Sequence, residues 1–162
     1  AAPLPSSEVP KPEIKLSGSE GPNPGHFVYA ENRKGMSFEK LFGPYVRGAS
    51  KIVITDPYIR LFYQVRNVME FVEMVLRAKA PEDQVSIELI TCPDESGIGK
   101  QRENLDAIAN ACEGTGVTFS WSFDGTGTAH ARHIVTDTGW KISLDRGLDI
   151  FQQYQMNDSF SL

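Results

Sequence analysis

The sequence predicts an α/β layered domain, a mixed β-sheet flanked by helices and ending in a C-terminal β-hairpin. Three observations carry this reading. A compact β-branched run, Lys51 to Thr55 (KIVIT), leads into a long helical stripe. Two alternating runs, Val85 to Thr91 (VSIELIT) and Val117 to Phe123 (VTFSWSF), enclose a further helix signal. Two short strands then meet at Thr138-Gly139. Strands alternating with helices build parallel sheets, and the terminal hairpin adds antiparallel strands to it.

The elements follow in order. His26 to Ala30 (HFVYA) reads as a short strand, and Ser37 as a helix N-cap with Met36 and Leu41 as a hydrophobic staple. Phe38, Leu41, Phe42, Tyr45, Val46 and Ala49 repeat at helical spacing, with Pro44 inside the pattern to kink or restart the helix. After KIVIT and the Asp56-Pro57-Tyr58-Ile59-Arg60 segment, Leu61, Val65, Val68, Val72 and Val75 form one broad apolar helix face. Gln64, Arg66, Asn67, Glu70, Glu73 and Arg77 are expected on its solvated side, and Pro81 ends the element. A third helix carries Leu105, Ile108, Ala109 and Cys112 on one face, with Gly114 as its stop. The closing hairpin spans Ala131 to Asp137 and Trp140 to Leu144.

The organisation expected is a Pro-rich flexible linker at 1-25 and a folded domain at 26-162. Six of the ten prolines fall before residue 25, among Ser, Gly and Glu with few large apolar side chains. Such a stretch buries too little surface to offset its ordering entropy. With Ala at position 1, the chain reads as a piece of a longer protein, tethered to a neighbouring domain. No apolar run is long enough to cross a bilayer and no signal pattern opens the chain, so a cytoplasmic location is expected. Cys92 and Cys112 lack metal-ligand spacing and read as free buried thiols. The net charge of −5 runs against nucleic acid as a partner, because phosphate neutralisation supplies most of that affinity.

Chemistry concentrates in HARHIVTDTGWKISLDRGLDIFQ, residues 130 to 152, where His130, Arg132 and Asp137 stand in an H-x-R-x4-D spacing. On a strand, His130 and Arg132 share a face while His133 points the other way, so a metal site built on the two histidines is disfavoured. Asp137 could reach back to orient an imidazole, and Arg132 offers a planar fork for phosphate oxygens. The plainer alternative makes His130 a loop-edge histidine, Arg132 an ion-pair partner and Asp137 a turn residue. Asp56, Tyr58 and Arg60 lie at a strand-to-helix junction, where open α/β sheets collect ligands. Arg146 and Asp149 follow the hairpin, as ligand groups or as a mutual salt bridge. Convergence of Arg60, Arg132 and Arg146 would make an anion-binding pocket despite the acidic total.

DPYIR at 56 to 60, the H-x-R-x4-D run and GWKISLDRGLDIFQ at 139 to 152 together resemble the phospholipase D-like domain that follows the MIT domain in a eukaryotic ESCRT-III-binding protein of cytokinesis. The tail looks more similar to a bacterial branch at the C-terminus of Lon-related ATP-dependent protease-like proteins of BREX-type phage defence. The superfamily motif is H-x-K-x4-D, with histidine as nucleophile. The resemblance therefore marks His130, Arg132 and Asp137 as degenerate catalytic positions. Arginine replaces the lysine, Ser143-Leu144-Asp145 stands where a small pair followed by Asn belongs, and a single motif is present. What the resemblance implies is a non-catalytic interaction module, a homodimer that binds an anionic lipid or phosphate, requires no cofactor and works with the N-terminal domains of its parent. Two rival expectations are a phosphodiesterase with His130 acting across the dimer, and a membrane or ESCRT-III adaptor.

Overall fold

The computed structural model describes residues 37–126 and 131–144, together with two short strands within 4–28. Those two, β1 (Leu4–Pro5) and β2 (Phe27–Val28), pair antiparallel. The first falls within the segment read as linker.

Helix α1 spans Phe38–Val46 and is capped as its sequence suggests, the Ser37 hydroxyl accepting from the Lys40 N–H. Pro44 sits in its last turn and the helix runs two residues beyond it. A proline there removes one N–H near an end that was about to stop, so the cost stays small. Strand β3 (Lys51–Thr55), helix α2 (Phe62–Ala78), strand β4 (Val85–Thr91), helix α3 (Ile98–Ala111) and strand β5 (Val117–Phe123) follow in alternation. β6 (His133–Thr136) and β7 (Lys141–Ser143) close the described chain. Their turn needs a left-handed residue, supplied by Gly139 at φ 104°.

The five-stranded sheet runs β5-β4-β3-β6-β7. β3, β4 and β5 are parallel, whereas β6 pairs antiparallel with β3 and with β7, as a mixed sheet requires. Both parallel crossovers step the same way along the sheet, which puts α2 and α3 on one face. That face is the core: Ile52, Ile54, Ile87, Leu89 and Ile134 from the strands meet Val68, Phe71, Met74 and Leu105 from the helices, all at most 1% exposed. Each contributes roughly 1.5–3 kcal/mol through burial. Phe42 of α1 packs edge-on to Phe71 at 5.9 Å, and Tyr45 stacks edge-on against Trp140 at 5.0 Å, so α1 bridges α2 and the hairpin turn.

Three expectations for α2 are corrected. Leu61, expected on the apolar face, precedes the helix as its cap residue and is exposed. Gln64 and Asn67 are buried rather than on the solvated side. Gln64 turns inward because its carboxamide oxygen accepts from the N–H groups of Arg60 (2.9 Å) and Leu61 (2.8 Å), which have no partner within the helix. Asn67 shares that flank of the helix, and its Nδ2 is buried with no hydrogen-bond partner. No helix among the described residues is long and apolar enough to cross a membrane.

Candidate functional site

Parallel strands β3, β4 and β5 all end at one edge of the sheet, and the chain before β6 returns to that edge. Arg132 precedes His133, which lies opposite Thr55, so Arg132 comes beside Asp56 at the end of β3. The consequence is a meeting of residues more than seventy positions apart. The Arg132 guanidinium lies 4.7 Å from the centre of the Tyr58 ring, and that of Arg60 lies 5.4 Å from the same ring. One aromatic ring thus orients two permanent positive charges. Neither guanidinium forms an ion pair with a carboxylate among the described residues, whose salt bridges involve Arg66, Arg77 and Lys100 instead.

The loop presenting Tyr58 and Arg60 is fixed by its backbone. Asp56, 2% exposed, accepts from the Tyr58 N–H at 3.0 Å, and the Thr91 hydroxyl accepts from the Ile59 N–H at 3.3 Å. Gln101 of α3 is fully buried; its amide nitrogen donates to the carbonyls of Ile59 (2.8 Å) and Cys92 (3.0 Å), while its oxygen accepts from the Asp94 N–H (2.8 Å). Arg60 therefore projects from a loop whose backbone groups are already satisfied, which lowers the entropic cost of holding a ligand. Thr91 and Gln101 were not singled out from the sequence, and Gln64 was placed on the solvated face of α2 rather than at this loop. Only Gln64 had a signal there, as a glutamine at the third position of a helix start.

Around this edge lie further cationic and apolar groups. The Arg102 guanidinium sits 5.3 Å from the Phe123 ring centre. Arg60 and Asp124 both act on the half-buried Cys92: desolvation raises its thiol pKa first, Asp124 adds to the rise, and Arg60 opposes it. Leu61, Phe62 and Ile98, at the starts of α2 and α3, are 52%, 66% and 38% exposed. They are three of the four exposed large hydrophobics among the described residues. Neither helix has an acidic residue in its first turn, and the carboxylate beside the start of α3 is that of Asp94, which accepts from the Ser96 N–H at 3.3 Å.

Asp137 lies elsewhere. It follows the far end of β6, beside the start of β3, where its carboxylate accepts from the Ser50 N–H at 2.9 Å and its own N–H donates to the Lys51 carbonyl at 3.0 Å. Five residues of extended chain separate it from Arg132, roughly 16 Å. Partial desolvation acts to raise its pKa, but hydrogen bonds from Lys51, Ser50 and its own backbone outweigh this and hold the carboxyl below its ordinary value. His130, Arg146 and Asp149 lie outside the described residues. His133, on the sheet face away from the core, has its pKa lowered by desolvation and then by Lys141. Cys92 and Cys112 are free thiols, and no cluster of metal-ligand side chains occurs among the described residues.

The comparisons with known proteins bear on the family of the chain. Residues 35–162 match the family described as the phospholipase D-like domain at the C-terminus of MIT. Mouse MIT domain-containing protein 1 is 34% identical over 128 residues, a match covering 77% of this chain and 49% of that protein. The chain thus spans about half the length of this curated relative. With a match over residues 35–162 and a 34% identical relative, the chain belongs to the MIT C-terminal family of phospholipase D-like domains.

Proposed function

We propose that this domain is a non-catalytic docking module that holds a phosphate-bearing anion between Arg60 and Arg132, with the headgroups of an anionic membrane surface as the source of that anion. The observation that carries this reading is the Tyr58 ring flanked by two guanidiniums without carboxylate partners among the described residues. Leu61, Phe62 and Ile98 extend it: apolar side chains exposed next to fixed cations suit an interface that is anionic above and hydrocarbon below. The net charge of −5 is no obstacle, since a local cluster sets the field felt by a bound headgroup.

The chemistry of the motif supports binding without turnover. A phosphodiesterase of this type needs a histidine whose imidazole is oriented by a partner, and Asp137 is committed to Ser50 at the opposite end of β6. Arg132 holds a phosphate well but is a permanent cation with no proton to give. Our first reading makes the domain part of an ATP-dependent Lon-type protease-like protein, and the alternative makes it part of an MIT-bearing adaptor. The residues encoded upstream of Ala1 distinguish them: an AAA+ or Lon domain in one case, an MIT domain in the other.

The test of the binding reading is co-sedimentation with vesicles of phosphatidylcholine alone and of phosphatidylcholine with phosphatidic acid. Binding only to the acidic vesicles, lost in Arg60→Ala/Arg132→Ala, is the expected result. Saturable binding of inorganic phosphate, lost in the double variant, with no vesicle binding would assign the site to a free anion. Hydrolysis of an activated phosphodiester that disappears in His130→Ala would overturn the non-catalytic reading altogether.

A further inference from the structure

We infer that the outer edge of β5 is a docking site for an extended segment of a partner protein, added antiparallel to the sheet as a further strand and bearing an acidic, two apolar and a basic residue at alternate positions. This stands independently of the anion-binding reading.

An edge strand is a template for another strand unless something blunts it, and natural sheets use charge, proline, shortness or a covering segment to do so. The two edges of this sheet differ in that respect. β7 is three residues long and carries Lys141. β5 is seven residues long and contains neither a charge nor a proline. The Val85 N–H donates to the Gly116 carbonyl and the Asp124 N–H to the Thr91 carbonyl, so the backbone groups of even-numbered β5 residues face β4 and those of odd-numbered residues face outward. Among the described residues the outward groups of Phe119, Trp121 and Phe123 have no partner. Those of Val117 are taken up by the Thr115 hydroxyl, at 3.1 Å to its N–H and 3.5 Å to its carbonyl, which ends the open stretch there. An antiparallel strand satisfies the open groups pairwise, because the residue opposite each odd-numbered one exchanges both N–H···O bonds with it.

The neighbouring helix selects the segment that fits. Arg102, Asp106, Ala109 and Glu113 recur at helical spacing on the side of α3 that borders β5. Because α3 runs back against the direction of β5, Arg102 lies at the Phe123 end, 5.3 Å from that ring centre, and Glu113 lies at the Val117 end. Both charges are exposed, and neither forms a salt bridge among the described residues. Between them the Asp106 carboxylate accepts from the Trp121 indole N–H at 2.9 Å and so holds the half-exposed ring in place. A groove of about 530 Å³, lined by Ala109, Cys112, Val117 and Phe119, completes the row. Side chains opposite the odd-numbered residues of β5 point to this helix face. From its N-terminus, the added strand therefore meets Arg102 with a carboxylate, lays an aliphatic side chain on Trp121, fills the groove beside Phe119 with a second one and meets Glu113 with a cation. Thr118, Ser120 and Ser122 are exposed on the other face and pair best with hydroxyl side chains at the intervening positions.

The experiment titrates the whole chain into a fluorescein-labelled, C-terminally amidated peptide, Glu-Thr-Val-Thr-Ile-Thr-Lys, and follows anisotropy and amide hydrogen exchange. The expected result is saturable binding that slows exchange at the Phe119, Trp121 and Phe123 amides. Trp121→Pro removes an outward N–H and the ring while leaving the β4 ladder intact, and should weaken binding by about tenfold or more. Glu113→Lys should weaken it by about threefold or more, and a peptide ending in Glu instead of Lys should recover that loss. Glu113 is exposed, so circular dichroism of this variant is expected to match the wild type. Lack of binding, binding indifferent to both substitutions, or no recovery by the charge-swapped peptide would overturn the inference. So would protection of the same amides in peptide-free protein that grows with protein concentration, which would give the edge to a second copy.

Discussion

The two ends of β6 are built from one short motif and do different work. At the end beside Arg132, side chains are held by a ring and a fixed loop yet keep their charges unneutralised among the described residues. At the end beside Asp137, the charge is spent on the backbone of Ser50, closing the entrance to β3 as a helix cap closes a helix. The spacing that suggests one chemical unit in the sequence is stretched by an extended strand across the full depth of the sheet. A motif read along the chain is thus a functional unit only where the fold returns its ends to one place.

This contrast is open to attack from either end. The largest expected effect comes from Gln101→Leu: it strands the buried carbonyls of Ile59 and Cys92 and the Asp94 N–H, and should cost about 2–4 kcal/mol in denaturant unfolding. Next is Arg60→Ala/Arg132→Ala, expected to weaken binding to acidic vesicles by roughly tenfold or more with the melting temperature nearly unchanged. If binding survives and stability falls, the arginine end is structural too. Tyr58→Leu keeps both cations but removes the ring that orients them, and should weaken vesicle binding by about three- to tenfold.

The smallest effect belongs to the aspartate end. Asp137→Ala should cost about 1 kcal/mol of stability and leave vesicle binding untouched. Because the folded pKa of Asp137 is depressed, its contribution is present above the unfolded pKa and is lost as pH falls through the folded one. The melting temperatures of wild type and Asp137→Ala should therefore converge in acid. His133 acts in the same direction, since a lowered folded pKa makes protonation on the descent in pH favour the unfolded chain. A loss of vesicle binding in Asp137→Ala would break the comparison by coupling the two ends.

Much of the fold was legible because local periodicity has a direct physical cause. KIVIT, VSIELIT and VTFSWSF alternate because one face of each strand meets the helices, and the observed strands have the bounds those runs suggest. Gly114 and Gly139 were read correctly as a stop and a turn because both need positive φ. The helix burial pattern was less transparent. Polar spacing put Gln64 and Asn67 outside, but the need to satisfy the N–H groups of Arg60 and Leu61 drew Gln64 in.

By itself, then, the sequence determined the layered α/β class, the order and bounds of the main elements and the resemblance to phospholipase D-like domains, since these depend on periodicity, turn chemistry and short motifs. Only the tertiary structure decided that Arg132 joins Tyr58 and Arg60 while Asp137 goes to the opposite edge. That choice depends on β6 running antiparallel beside β3. Strand pairing between segments some eighty residues apart is selected by burial of the whole face they share, and no local pattern records it.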